Sequence, residues 1–122
     1  MMKTKILVIE DNEDNLRILR DLLTSAGYEV IEAGTGQAGV TAAETEDPAL
    51  ILMDIQLPDI DGYETTRRIK ADPARQAIPV IAVTSYALSG DDVKAFEAGC
   101  DAYVTKPFSP RELLAKIREY LP

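Results

Sequence analysis

Short runs of apolar residues alternate along the chain with longer segments in which apolar residues recur every three or four positions. The runs predict five strands, over Ile6–Ile9, Glu29–Glu32, Leu50–Met53, Val80–Val83 and Ala102–Thr105. The longer segments predict five helices, over Asn15–Ala26, Gln37–Thr45, about Asp61–Ala71, Asp91–Ala98 and Arg111–Leu121. Strand–helix alternation of this kind predicts an α/β fold, with one parallel sheet between two layers of helices.

The polarity of the strands indicates their order in the sheet. Uninterrupted apolar runs such as Leu50–Met53 are typical of strands that are buried on both faces. Glu29–Glu32 instead alternates polar and apolar residues, as a half-exposed edge strand does. We therefore expect a doubly wound, flavodoxin-like (βα)5 sheet with the order 2-1-3-4-5, built from residues 1–122 as one domain. In this order ligands bind beyond the carboxyl ends of strands one and three, where the order reverses.

Local signals support the helix boundaries. Ser109-Pro110-Arg111-Glu112 is a capping box with proline at the first helical position, and Ser89–Asp92 and Asp61–Glu64 have cap-like spacing. Gly27 and Gly99 stand where helices are expected to stop.

Composition removes several classes of function. The 122 residues are 46% hydrophobic, which is enough for one folded domain. The net charge of −8 disfavours nucleic acid and anionic membranes as direct partners. No segment reads as a signal peptide or a membrane span, and Cys100 is the only cysteine, so we expect a cytoplasmic protein without an internal disulfide. The absence of histidine excludes a Ser-His-Asp triad, a histidine zinc site and a phosphohistidine donor.

Four of the five predicted strands are followed by a chemically reactive side chain. The residues are Glu10 and Asp11 after the first strand, Asp54 after the third, Thr84 after the fourth and Lys106 after the fifth. The carboxyl ends of parallel strands meet at one edge, so three carboxylates, a hydroxyl and an ammonium should share one crevice. Any one of them has a simpler interpretation, and Asp11 or Asn12 alone would more readily be a helix cap. Together they predict a functional site.

This set of groups suits a divalent cation and a phosphoryl group. Three neighbouring carboxylates repel one another, so one of them binds a proton unless a cation is present, and Mg²⁺ prefers such oxygen ligands. A carboxylate can also be a nucleophile that forms an acyl phosphate, and Asp54 on the central strand is the best candidate. Lys106 can neutralise charge on the phosphoryl oxygens, and Thr84 can donate a hydrogen bond to one of them.

The sequence resembles the receiver domains of two-component response regulators, which have the chemotaxis-regulator fold. The resemblance covers almost the whole chain and is carried by five segments. These are Val8-Ile9-Glu10-Asp11-Asn12, Leu52–Pro58 with Asp61-Gly62, Ile78–Ala87, Gly99–Tyr103 and Lys106-Pro107-Phe108. Within the family the chain is most similar to stand-alone regulators of bacterial cell-division polarity. The alternative is a receiver domain excised from a hybrid histidine kinase or a larger response regulator.

The resemblance implies a signalling switch in a phosphorelay. Asp54 would accept a phosphoryl group from a sensor histidine kinase or a histidine phosphotransferase, and Thr84 and Tyr103 would form the switch. Mg²⁺ would be bound by Asp11, Asp54 and the backbone carbonyl of Gln56, with Glu10 acting mainly through water. Glu10 is a common variant of the aspartate often found there. Such a receiver catalyses its own phosphorylation and dephosphorylation, and is otherwise no enzyme.

Two further expectations concern output and local geometry. A protein partner would read the phosphorylated state at the face of helix four, strand five and helix five, which comprises Ala87–Phe96, Tyr103 and the Phe108–Leu114 region. The Lys106-Pro107 peptide bond should be cis, so that a tight turn directs Lys106 over the crevice.

Other readings explain less of the chain. Gly34–Gly39 is a literal G-x-G-x-x-G that follows a strand and opens a helix, as in a dinucleotide-binding fold, but this leaves the first strand–helix unit unexplained. An aspartyl phosphatase needs a general acid two residues after its nucleophile, where Gln56 stands. The chain has no Walker A lysine motif, which an NTPase needs. It also has no Ser/Thr-rich phosphate loop of the kind expected in a flavin-binding module.

Overall fold

The computed structural model describes residues 3–84 and 91–121, with side chains for all of these except Asp91 and Asp92. The strands are β1 (Lys5–Ile9), β2 (Glu29–Ala33), β3 (Leu50–Asp54), β4 (Val80–Thr84) and β5 (Ala102–Thr105). The helices are α1 (Glu13–Ser25), α2 (Gly36–Glu46), α3 (Gly62–Lys70), α4 (Asp91–Ala98) and α5 (Pro110–Arg118). The alternation predicted from the sequence is confirmed.

The five strands form one parallel sheet in the order β2-β1-β3-β4-β5, as predicted. β3 is central and all five of its residues are buried. β2 and β5 are edge strands with a single partner each, and both are only partly buried. The alternating polarity of Glu29–Glu32 therefore identified an edge strand correctly.

Alternate residues of the strands serve two hydrophobic cores, one on each face of the sheet. On one face, Ile6, Val8 and Leu52 pack with residues of α1 and α5 such as Leu23 and Ile117. The opposite face packs against α2, α3 and α4; its core includes Leu7, Ile9, Ile51, Met53, Ile69 and Ala95. Each fully buried Leu or Ile stabilises the fold by about 1.5–3 kcal/mol through removal of apolar surface from water.

Side-chain caps fix where the helices begin. The side chain of Asn12 accepts a hydrogen bond from Asn15 N, so α1 begins two residues earlier than the apolar periodicity predicts. Ser109 caps α5, as the capping box predicts, although this helix ends at Arg118 rather than at Leu121. Gly27 and Gly99 follow helices with φ of 95° and 110°, a region that favours glycine. The cap predicted at Ser89 lies outside the described residues.

Across residues 3–84 and 91–121, no helix has both the length and the apolar character needed to cross a bilayer.

A candidate phosphoacceptor and metal site

The register of the sheet brings three carboxylates together. Ile9 of β1 lies opposite Met53 of β3, so the residues that follow them, Glu10 and Asp54, occupy the same level at the carboxyl edge. Ligand oxygens of Glu10, Asp11 and Asp54 all lie within 4.8 Å of one another. Glu10 and Asp54 are buried, whereas Asp11 is exposed at the rim. The carboxylate cluster predicted from the strand ends is thus present.

Asp54 is held by the loop that follows β3. The backbone N–H of Gln56 donates to Asp54 Oδ1 over 3.1 Å, which orients the carboxyl group. Gly62 N donates to the carbonyl of Ile55 over 2.8 Å and closes this loop. A Cβ atom on Gly62 would lie 2.4 Å from the Asp54 carbonyl oxygen, so only glycine lets α3 start this close to the end of β3.

Lys106 reaches the carboxylates from the end of β5. Its Nζ lies 2.8 Å from Glu10 Oε1, and both side chains are largely buried. The backbone N–H of Lys106 donates to the carbonyl of Thr84 over 2.7 Å, which fixes the start of the turn. The Lys106-Pro107 bond is cis, as predicted.

The electrostatics of the cluster favour one bound proton on Asp54. Burial, with the neighbouring Glu10 carboxylate, raises the pKa of Asp54 to about 7. Burial also opposes ionisation of Glu10, but hydrogen bonds with Asp54 and Lys106, together with the lysine charge, outweigh it and lower its pKa. Near neutral pH the Asp54 carboxyl is therefore protonated in part of the molecules, whereas the Glu10 carboxyl favours its ionised form. A cation in the cluster would compete with that proton, so the donor set fits a hard divalent metal ion.

A cleft with a volume of about 380 Å³ opens above the cluster. It is lined by Glu10, Asp11, Asn12, Asn15, Asp54, Gln56 and Lys106. Thr84 is not in this lining: its side chain is buried at the end of β4, one strand away from Asp54. Tyr103 is half-buried on β5 and packs against the core beneath α2, α3 and α4.

An apolar groove adjoins the cleft and was not predicted from the sequence. It has a volume of about 440 Å³ and is lined by Asn15, Ile18, Leu19, Lys106, Pro107 and Phe108. Ile18 is 55% exposed although it is a large apolar residue. The sequence contained a sign of this exposure. Leu16, Leu19 and Leu23 form the stripe of α1 that packs on the sheet, and Ile18 lies outside that stripe.

Asp59 is a second feature of the structure that was not predicted from the sequence. Its carboxylate accepts hydrogen bonds from the backbone N–H groups of Gly36 and Gln37, at the start of α2. The G-x-G-x-x-G segment thus opens a helix, and a carboxylate of this chain occupies its first amides. The signal in the sequence was an aspartate in the loop after β3, since an aspartate in a loop can accept hydrogen bonds from the first amides of a helix elsewhere in the fold.

The model of the response regulator receiver domain matches residues 6–118. The chain belongs to this family. A receiver has an α/β sheet in the order found here, and the resemblance noted from the motifs is confirmed.

Individual relatives agree with this membership. The polar-differentiation response regulator DivK of Brucella ovis is 42% identical over 120 residues, which are 98% of each chain. This supports the resemblance to regulators of cell-division polarity. The receiver domain of the sensor histidine kinase PA1611 of Pseudomonas aeruginosa is 37% identical, with a TM-score of 0.91 and 98% of each chain covered. In that structure a magnesium ion is coordinated in the active-site cleft.

The fold extends to more distant proteins. The chemotaxis regulator CheY4 of Vibrio cholerae has a TM-score of 0.93 at 22% identity, covering 98% of this chain and all of that one. Membership of the receiver family makes this protein a component of two-component signalling rather than an enzyme of the usual kind. The acidic cluster of Glu10, Asp11 and Asp54 could hold a metal ion in the receiver cleft.

Proposed function

We propose that this receiver is a phosphorylation-dependent switch in which Asp54 accepts a phosphoryl group. The observation that carries the proposal is the setting of Asp54. It ends the central strand, and it lies between the Glu10 carboxylate and an amide of its own loop. Lys106 is bound to the same Glu10, and the cleft above is wide enough for a phosphoryl group.

The donor is a phosphohistidine on a sensor histidine kinase or a histidine phosphotransferase, since this chain contains no histidine of its own. A carboxylate oxygen of Asp54 forms a bond to phosphorus while the phosphorus–nitrogen bond of the donor breaks. The electron pair of that bond returns to the imidazole ring, which takes up a proton. The product is an acyl phosphate on Asp54 and an unmodified histidine on the donor.

Asp11, Asp54 and the backbone carbonyl of Gln56 would hold Mg²⁺, and Glu10 would act mainly through water. When bound, the ion supplies positive charge that balances the carboxylates and the phosphoryl oxygens. The pKa of Asp54, raised first by burial and then by the neighbouring Glu10 carboxylate, fits this assignment, because a cation in the cluster would favour the ionised carboxylate. Ionised Asp54 is the form that can attack phosphorus.

Lys106 and Thr84 would stabilise the phosphoryl group. Lys106 is already fixed over the cleft by its bond to Glu10, so little reorganisation is needed for its ammonium to meet a phosphoryl oxygen. Thr84 stands one strand from Asp54 and would move towards the phosphoryl group after transfer.

The donor would dock on the apolar groove beside Ile18. Asn15 and Lys106 line both the groove and the cleft, so a protein seated on the groove would have its histidine next to Asp54. The exposed side chain of Ile18 offers apolar area that the isolated receiver leaves in water. We expect this contact to form in the cytoplasm, without nucleic acid or membrane.

Output would pass through Thr84 and Tyr103 to the face formed by α4, β5 and α5. Movement of Thr84 would leave space beside β4, and Tyr103 on the neighbouring strand would turn inward to fill it. Val93 and Phe96 of α4 expose apolar surface on this side, which a downstream protein could cover. The part of the predicted face at 87–90 lies outside the described residues.

The test is covalent labelling. Incubation with acetyl phosphate and Mg²⁺ should add one phosphoryl group that hydroxylamine removes, and tandem mass spectrometry should locate it on Asp54. The Asp54→Asn variant should stay unlabelled, and labelling of this variant to the level of the natural protein would refute the assignment.

A further inference from the structure

The loop between β3 and α3 is hydrogen-bonded to α2, a helix with no residue in the lining of the cleft. Asp59 lies in this loop, and its Oδ1 accepts from Gly36 N at 2.8 Å while its Oδ2 accepts from Gln37 N at 2.9 Å. Both carboxylate oxygens are used, so the loop is attached to α2 at two points. These amide hydrogen bonds, first Gln37 and then Gly36, lower the pKa of Asp59 to about 2, so it is ionised at neutral pH.

Asp59 is well suited to this place because the first amides of a helix have no partner within the helix. Thr35 accepts from Ala38 N through its side chain, and Asp59 binds the two amides before it. A carboxylate at a helix N-terminus also interacts favourably with the helix dipole. Two hydrogen bonds to a charged carboxylate therefore join the loop to the start of α2.

The two elements also pack tightly at this point. A Cβ atom on Gly36 would lie 2.5 Å from Cγ1 of Ile60 and 2.4 Å from Oγ1 of Thr65. The start of α2 therefore lies directly against the end of the loop and the first turn of α3. A displacement of Asp59 from the Gly36 and Gln37 amides would move the loop relative to both helices.

The other end of the same loop carries the metal site. Gln56 lies three residues before Asp59, and its N–H orients Asp54. We propose that Asp59 is a positioning residue for the cation site, which holds the Gln56 carbonyl at the height over Asp54 that metal binding requires. This inference rests on the proposed function, since it takes the Gln56 carbonyl as a metal ligand.

The structure supplies a matched control. Thr35→Ala removes a hydrogen bond from the same end of α2 but leaves the loop attached, whereas Asp59→Ala removes the attachment itself. Both variants should lower the melting temperature, because both remove a cap from one helix. Metal affinity separates the two roles, since of Thr35 and Asp59 it is Asp59 whose hydrogen bonds run between α2 and the loop that holds Gln56.

The measurement is Mg²⁺ affinity by isothermal titration calorimetry, at a temperature where every variant is folded. Asp59→Ala should raise the Mg²⁺ dissociation constant by about tenfold, the size of effect seen when a group that supports a metal ligand is lost. Thr35→Ala should stay within about twofold of the natural protein, and Asp59→Asn, which retains one acceptor oxygen, should fall between. Without Mg²⁺, amide hydrogen exchange at Gln56 should be faster in Asp59→Ala only.

Two outcomes would overturn the inference, and they differ in what else they affect. Equal Mg²⁺ affinities for Asp59→Ala and Thr35→Ala, with clear binding by the natural protein, would refute the role of Asp59 and leave the proposed function intact. No Mg²⁺ binding by the natural protein would refute the metal site itself, and the positioning role with it.

Discussion

Lys106 Nζ donates to Glu10 Oε1 over 2.8 Å, a contact between residues 96 positions apart in the chain. The ion pair joins the loop after β1 to the loop after β5, and it lies beside Asp54 in the cleft. One positive charge therefore partly balances three carboxylates, and the ammonium is already held close to Asp54, the proposed phosphoacceptor.

Replacing Lys106 with glutamine should slow labelling of Asp54 by acetyl phosphate by about a hundredfold, since one preorganised charge on the developing oxygens is lost. Mg²⁺ affinity should change much less, because Lys106 supplies no metal ligand. Lys116→Gln is the control: Lys116 is a lysine of α5 that pairs with Glu119 on the surface. Equal labelling rates for both variants would contradict the role of Lys106.

The pKa of Asp54 predicts how stability depends on pH without Mg²⁺. Because the pKa is raised to about 7 in the folded state, the native protein binds a proton that the unfolded chain releases near pH 4. The free energy of unfolding should therefore fall as the pH rises from about 4 to 7. Asp54→Asn should be more stable than the natural protein at pH 8, by about 1–2 kcal/mol after allowance for solvent screening.

Urea denaturation at pH 5 and pH 8 measures this difference. At pH 5 most of the gain should disappear, since protonated aspartic acid resembles asparagine. Asp21→Asn, at an exposed position of α1 outside the cleft, serves as the control and should show no such gain at pH 8. A gain for Asp54→Asn that is the same at both pH values would contradict the proton on Asp54.

Mg²⁺ should raise the melting temperature of the natural protein, because a ligand that binds only the native state stabilises it. The increase should grow with Mg²⁺ concentration in differential scanning calorimetry. Asp11→Asn should abolish most of it, since a carboxylate ligand at the rim of the cluster is lost. If the melting temperature of the natural protein does not change with Mg²⁺ concentration, the proposed metal site is contradicted.

Gly62→Ala should destabilise the protein by about 1–3 kcal/mol through steric overlap, because the new Cβ would lie 2.4 Å from the Asp54 carbonyl oxygen. It should also slow labelling of Asp54. Gly34→Ala is the matched control: a Cβ there meets no atom within 4 Å, so its stability should change by less than about 0.5 kcal/mol. Similar urea midpoints for the two variants would show that the contact at Gly62 relaxes freely.

Tyr103→Ala should uncouple the acceptor from its output. Beryllofluoride, which mimics a phosphoryl group, should change the affinity of the natural protein for its downstream partner, and this change should shrink clearly in the variant. Surface plasmon resonance with and without the mimic measures both. Should Tyr103→Ala respond like the natural protein, the coupling must run through the segment after Thr84 instead.

The fold could be predicted from the sequence because local signals agreed with one another. The buried run Leu50–Met53 required a strand covered on both faces, and Ser109 and Gly27 marked helix ends that the structure confirms. Helix boundaries differ from the prediction where two local signals compete. Asn12 begins α1 before its apolar stripe starts, because a capping side chain satisfies the first amides without any burial.

The composition of the site was also predictable, but its pairings were not. Strand ends bring Glu10, Asp54 and Lys106 to one edge whatever their rotamers are. Whether Lys106 binds Glu10 or Asp54 depends on side-chain geometry that no spacing encodes. The contacts of Asp59 could not be predicted for the same reason. Gly36 and Gln37 come within hydrogen-bonding distance of Asp59 only when α2 packs beside α3.

Asp54, the proposed phosphoacceptor, and Tyr103, the proposed switch residue, lie on strands that differ in how firmly the sheet holds them. β3 is hydrogen-bonded on both sides and wholly buried, so its amides should exchange with deuterium only when the whole domain opens. β5 has one neighbour, and its amides can exchange by fraying from the edge. Under the proposed function, the charge is added at the end of a strand that is held on both sides, and the rearrangement that follows falls on β5, which has a neighbour on one side only.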